Sequence, residues 1–151
     1  MGNNPFKKPS FIVSYICGAI ITVGVFFWFM KRASMPFDEK FRQEVRDINS
    51  KLPMKIDECT ILDSVAYIEN QPEEAVYFYH IQGVLDNPGI WNESMIQSVR
   101  QNTLETVTQN DMTSMMRKRG FLFRYHYYSD SNPQQLLFEF VLGPDDYSEK
   151  E

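Results

Sequence analysis

The chain is poor in the residues that staple or catalyse. It has two cysteines, Cys17 inside an apolar run and Cys59 alone in the remainder, so no intramolecular disulfide can cross-link a folded domain. Stability must come from an ordinary apolar core. Histidine is equally scarce, and neither a Cys-x-x-Cys nor a His-x-x-x-His pair occurs to set metal-ligand geometry. There is no Gly-x-Gly-x-x-Gly, no phosphate loop and no Gly-x-Ser-x-Gly, which removes the usual backbone devices of nucleotide binding and of familiar hydrolases. Cys59 with His80 or His126 is the available Cys/His set, and Asp63 could join the three around zinc. Nothing in their spacing draws them together. A half-buried cysteine at a strand start is ordinarily a small core residue, so no catalytic residue, cofactor or metal is expected, and a Cys/His enzyme or metal protein stands as the rival reading.

Carboxylate, amine and guanidinium side chains are absent from Phe11–Met30, FIVSYICGAIITVGVFFWFM. As a helix this run would span about 30 Å, the thickness of a hydrocarbon core. Lys7-Lys8 and Lys31-Arg32 bracket it, and Phe26, Phe27, Trp28 and Phe29 gather at one end like an interfacial belt. The expectation is a single-pass, uncleaved signal-anchor in contact with lipid, placing the protein in a bacterial inner membrane with its C-terminal domain outside the cytoplasm. Lys31 and Arg32 stand where a cleavage site needs small residues. Ser14, Gly18 and Thr22, four apart, form a small-residue stripe that suits helix–helix contact and a homodimer.

Charge divides by position. Residues 1–52 carry eight Lys and Arg against four carboxylates, a net of +4, whereas the rest carries seven against sixteen, a net of −9. An acidic distal domain argues against a nucleic-acid partner.

The chain divides into an N-terminal tail (1–10), the apolar helix (11–30), an amphipathic stalk (31–52), a globular domain (53–147) and an acidic tail (148–151). In the stalk Phe37, Phe41, Val45, Ile48 and Leu52 recur along one helix stripe before Pro53. The stripe suits packing on the protein's own sheet, contact with lipid or, in a parallel dimer, packing on a second copy. Thr60–Glu69 and Ala75–Gln82 read as strands of a hairpin across Asn70-Gln71-Pro72-Glu73. Asn92 suits the N-cap of a helix bearing Trp91, Met95, Val99, Leu104 and Val107, and a short helix follows with Met112, Met115 and Met116. Arg117-Lys118-Arg119-Gly120 reads as a helix C-terminus ahead of a basic patch. Phe121–Tyr128 and Leu136–Val141 alternate as a second hairpin. The predicted fold is α+β, a small antiparallel sheet in ββαββ order covered by helices. Tyr77, Tyr79, Tyr125, Tyr127 and Tyr128 would form a binding face if they point outward, and Arg124, His126 and Tyr128 share the phase of the more polar face, the candidate partner surface.

Leu52-Pro53-Met54, Asp57, Thr60, Leu62-Asp63-Ser64, the strand Val76–Ile81, Asp111-Met112 and Gly120–Tyr125 together resemble a group of small bacterial envelope-type proteins. The resemblance spans most of the domain and implies no activity. Many of those proteins carry a Cys just before the Asp-Met pair and another near the C-terminus, where this chain has Thr108 and no cysteine. The functional expectation is a membrane-anchored, non-catalytic interaction module binding a protein partner at the cell envelope. The alternative is a small subunit of a membrane complex whose apolar helix makes the main contact.

Overall fold

The computed structural model describes residues 36–148. Helix α1 (Phe37–Asn49) follows Pro36, with Asp38 and Glu39 in its first turn and Arg46 in its last, the charge order a helix dipole favours. Strands β1 (Met54–Lys55), β2 (Thr60–Ile68) and β3 (Glu74–Ile81) come next. Two 3₁₀ turns lead into α2 (Glu93–Gln109), where Asn92 Oδ1 accepts from the Met95 N–H at 3.0 Å and caps the first turn. The short α3 (Ser114–Lys118) ends at Gly120, whose φ of +76° is the left-handed turn that a side chain would strain. Strands β4 (Leu122–Ser129) and β5 (Leu136–Leu142) and the one-turn α4 (Pro144–Tyr147) complete the described residues.

The five strands lie in chain order, β1-β2-β3-β4-β5. All neighbours are antiparallel except β3 and β4, which run parallel from Glu74↔Leu122 to Ile81↔Ser129. The sheet is therefore mixed, which corrects the antiparallel sheet expected from two hairpins. Parallel neighbours need a long crossover, and residues 82–121 supply it by carrying the chain back to the end where β3 began. Alternation within each hairpin carries no information about that central pairing.

The helices gather on one face. Ala75, Tyr77, Tyr79 and Ile81 of β3, Phe123, Tyr125 and Tyr127 of β4, and Phe138, Phe140 and Leu142 of β5 are buried on it. Parallel register sets Tyr77 against Tyr125 and Tyr79 against Tyr127, rings stacked at 5.1 and 4.9 Å. Val99, Thr103 and Val107, each four residues on, form the buried stripe of α2. The segment expected to be a stalk is part of this core: Phe41 meets the rings of Tyr67 at 4.8 Å and Phe121 at 5.6 Å. Its apolar stripe is thus spent on the protein's own sheet.

Arg119 ties α1 to the sheet from 81 residues away, donating to Asp38 Oδ1 at 2.7 Å and to both oxygens of Glu73 at 3.0 Å, with its guanidinium 4.3 Å from the Phe37 ring centre. Arg119, just after α3, is therefore engaged within the fold and forms no free basic patch.

The expected anchor requires a second correction. Among the described residues no helix is long and apolar enough to cross a membrane. The longest, α2, has 17 residues and is polar on its outer side, short of the roughly 20 apolar residues a span needs. Phe11–Met30 lies outside the described residues, as do Ser14, Gly18 and Thr22, so the single-pass, signal-anchor and inner-membrane assignments are withdrawn.

Glu44, buried on α1, has one carboxylate oxygen without a hydrogen-bond partner, and burial, with a smaller contribution from Asp47 opposed by Lys40, pushes its pKa from 4.5 up to about 7. The unfolded chain sheds this proton at lower pH than the folded one. Stability therefore falls as pH rises from 4.5 through 7, and the whole penalty persists above that window. Glu44→Gln is expected to raise the unfolding free energy by about 1–3 kcal/mol at pH 8 and to leave it nearly unchanged at pH 4, as read by urea denaturation.

Candidate functional site

Among the described residues no helix covers the other face of the sheet, where Val76 is buried and Phe78, His80, Arg124, His126 and Tyr128 are half-buried. Strand alternation sends every second residue there, and the register brings them into rows across three strands. Phe78 of β3 stacks on His126 of β4 with centroids 5.2 Å apart and planes 8° from parallel. Tyr128 lies 6.2 Å from His126 and 6.1 Å from His80. Arg124, His126 and Tyr128, chosen for their shared phase, thus stand side by side on this open face.

Each basic group there has an acidic neighbour on an adjoining strand. Arg124 Nε lies 3.1 Å from Glu74 Oε2, His126 Nδ1 is 2.9 Å from Glu139 Oε2, and His80 Nδ1 is 3.8 Å from Asp63 Oδ1. The His126–Glu139 approach is close but its angles are not those of a hydrogen bond, leaving Nδ1 without a hydrogen-bond partner in the structure. The surface is a mosaic of stacked rings and part-exposed charge pairs, suited to a protein surface of mixed polarity and ill suited to a nucleic-acid backbone. Phe78, Glu74 and Glu139 belong to it on the same footing as the three expected residues. Only the register between strands could have joined them.

The tyrosines divide between the two faces. Tyr77, Tyr79, Tyr125 and Tyr127 are each at most 2% exposed and line the core, leaving Tyr128 alone of the five on the open side. The hydroxyls of Tyr77 and Tyr125 are buried without a partner.

Cys59 belongs to the buried core cluster. It is buried at the start of β2, where its carbonyl accepts from the Gln82 N–H at 2.7 Å, while His80 and His126 lie on the open face. Burial, reinforced by Asp57 and Glu58 against Lys55, pushes the thiol above its ordinary pKa, away from the thiolate a nucleophile needs. Among the described residues no group of three His, Cys, Asp or Glu is placed to hold a metal ion.

A mixed five-stranded sheet with helices on one side defines the structural class, and the sequence places the chain within it. The chain belongs to a family described as a domain of unknown function (DUF8479), which matches residues 36–138. No curated protein sequence matches it. Two solved structures share the fold. One, a Pseudomonas aeruginosa protein described as secreted, is 13% identical with a TM-score of 0.57, covering 70% of this chain and 87% of that one. The other, the pilotin EpsS of the Vibrio vulnificus type 2 secretion system, is 7% identical with a TM-score of 0.53, covering 72% of this chain and 88% of that one.

Proposed function

We propose that this chain is a non-catalytic accessory protein whose domain binds another protein through the uncovered sheet face around Arg124, His126 and Tyr128. The observation that carries the reading is the one-sided placement of the helices, which leaves a sheet face with ordered aromatic and charged rows and no helix over it among the described residues. The buried Cys59, its thiol held above the ordinary pKa by that burial, supports the absence of catalysis. The fold shared with a type 2 secretion system pilotin and with a protein described as secreted supports an accessory role in an export or envelope assembly, as does the resemblance to small envelope-type proteins.

A photo-crosslinking residue at Tyr128, in the full chain expressed in its own host, is expected to trap one discrete protein. The same residue at Gln101, exposed on α2, is expected to trap none. Arg124→Glu with His126→Ala and Tyr128→Ala should reduce trapping from a crosslinker at Leu137 by at least about tenfold, since a few central residues dominate most interfaces. Equal trapping from Gln101, or an unchanged yield from the triple variant with its fold intact, would discard the proposal.

A further inference from the structure

The outer edge of β2 is divided into three stretches. At its start β1 pairs with it, Lys55 opposite Ile61 and Met54 opposite Leu62. At Val65 a side chain replaces the missing strand: the Val65 N–H donates to Asn49 Oδ1 at 2.9 Å and Asn49 Nδ2 donates to the Val65 carbonyl at 2.7 Å. Beyond Val65 no strand pairs with this edge among the described residues.

Successive residues of an antiparallel strand aim their main-chain groups at opposite edges. The Asn49 bonds show that Val65 faces outward, and Tyr67, two residues on in unbroken register opposite Ala75, must do the same. Glu69 continues that parity. The N–H and C=O of Tyr67 and the N–H of Glu69 therefore stand at a free sheet edge, a template for another strand.

A groove of about 520 Å³ runs beside this stretch, lined by Arg42, Val45 and Arg46 of α1 and by Tyr67, Ile68 and Glu69. Its wall is apolar at Val45 and at Ile68, which is 37% exposed. Its charge is a surplus of one cation: Arg42 pairs with Glu69, whereas Arg46 has no acidic partner among the described residues. This is a basic spot on a domain that is otherwise acidic.

We infer that this edge binds an extended peptide carrying a carboxylate, which adds a short strand beyond Val65 through Tyr67 and Glu69 and sets its acid against Arg46. Such strand addition draws affinity from main-chain hydrogen bonds and selectivity from the flanking groove. The residues just before α1 are poor occupants because Lys31 and Arg32 carry the wrong sign. A second copy is poorer still, since its own edge is closed at Val65 by Asn49 and would offer little beyond Tyr67. The edge is independent of the open face, so either proposal can fail alone.

The test is a titration of the ¹⁵N-labelled full chain with two end-blocked peptides, Thr-Val-Glu-Val-Thr and Thr-Val-Lys-Val-Thr. The acidic peptide is expected to shift the Tyr67 and Glu69 amides saturably and to bind at least about tenfold more tightly than the basic one. Arg46→Glu should invert that preference. Glu69→Pro should abolish binding while preserving the fold, because the Glu69 N–H faces outward and takes no part in the β2–β3 ladder; Glu69→Ala should retain it. Unchanged binding by Glu69→Pro would overturn the inference, as would shifts centred on Arg124, His126 and Tyr128. Edge shifts that follow protein concentration without peptide would overturn it in favour of a dimer.

Discussion

Phe41→Ala is expected to lower the unfolding free energy by about 3–5 kcal/mol, a large part of what a domain of this size possesses. Phe41 is 1% exposed and is enclosed by three rings, Phe37 at 5.7 Å, Tyr67 at 4.8 Å and Phe121 at 5.6 Å. Truncation removes the buried area and leaves a cavity that rigid aromatic neighbours cannot fill by small shifts. The loss would also weaken the hold on α1, whose other ties include the Asn49–Val65 bonds, the Arg119 ion pair with Asp38 and the Arg42–Glu69 pair. Equilibrium urea unfolding measures the change, with exposed Glu39→Ala as a control expected within about 0.5 kcal/mol. A free stalk would predict no effect from Phe41→Ala, so the experiment separates the two descriptions of α1 directly.

Trp91→Ala should cost about 3–5 kcal/mol by the same measurement. Trp91 is 8% exposed, its ring lies 4.4 Å from that of Phe138, and its indole N–H donates to the Leu85 carbonyl at 2.9 Å. It thereby fastens the start of the crossover to β5 at the far side of the sheet. Trp91→Phe keeps an aromatic ring but leaves the Leu85 carbonyl unpaired, and is expected to cost about 1–2 kcal/mol. The difference between the two variants divides the contribution into ring packing and hydrogen bond.

Much of the secondary structure was legible. The β-branched and aromatic content of Thr60–Glu69 and Ala75–Gln82 and the alternation over Phe121–Tyr128 and Leu136–Val141 coincide closely with β2, β3, β4 and β5, and Asn92 caps α2 as its side chain suggests. The shared phase of Arg124, His126 and Tyr128 also placed them on the less buried face of β4. What was not legible is each residue's company. No local pattern reveals that Phe78 would stack on His126, that Asn49 would close the β2 edge, or that Arg119 would reach Asp38.

The membrane assignment failed for a related reason. Hydropathy measures what a segment would prefer to lie in, and that preference for Phe11–Met30 was extended to a whole architecture in which residues 31–52 became a stalk. In the described part α1 packs on the protein's own sheet, one of the arrangements its apolar stripe suits, and no helix is able to span a bilayer.

The amino-acid sequence by itself determined where the strands and helices lie, because a period of two or of 3.6 residues and the chemistry of caps and turns are local properties of the chain. Tertiary structure alone decided that β3 and β4 run parallel, that α1 belongs to the core, and that one sheet face and one short edge remain open. Those outcomes depend on where the crossover returns and on contacts between residues as far as 81 positions apart, such as Arg119 with Asp38, whose energies arise only once the fold has formed.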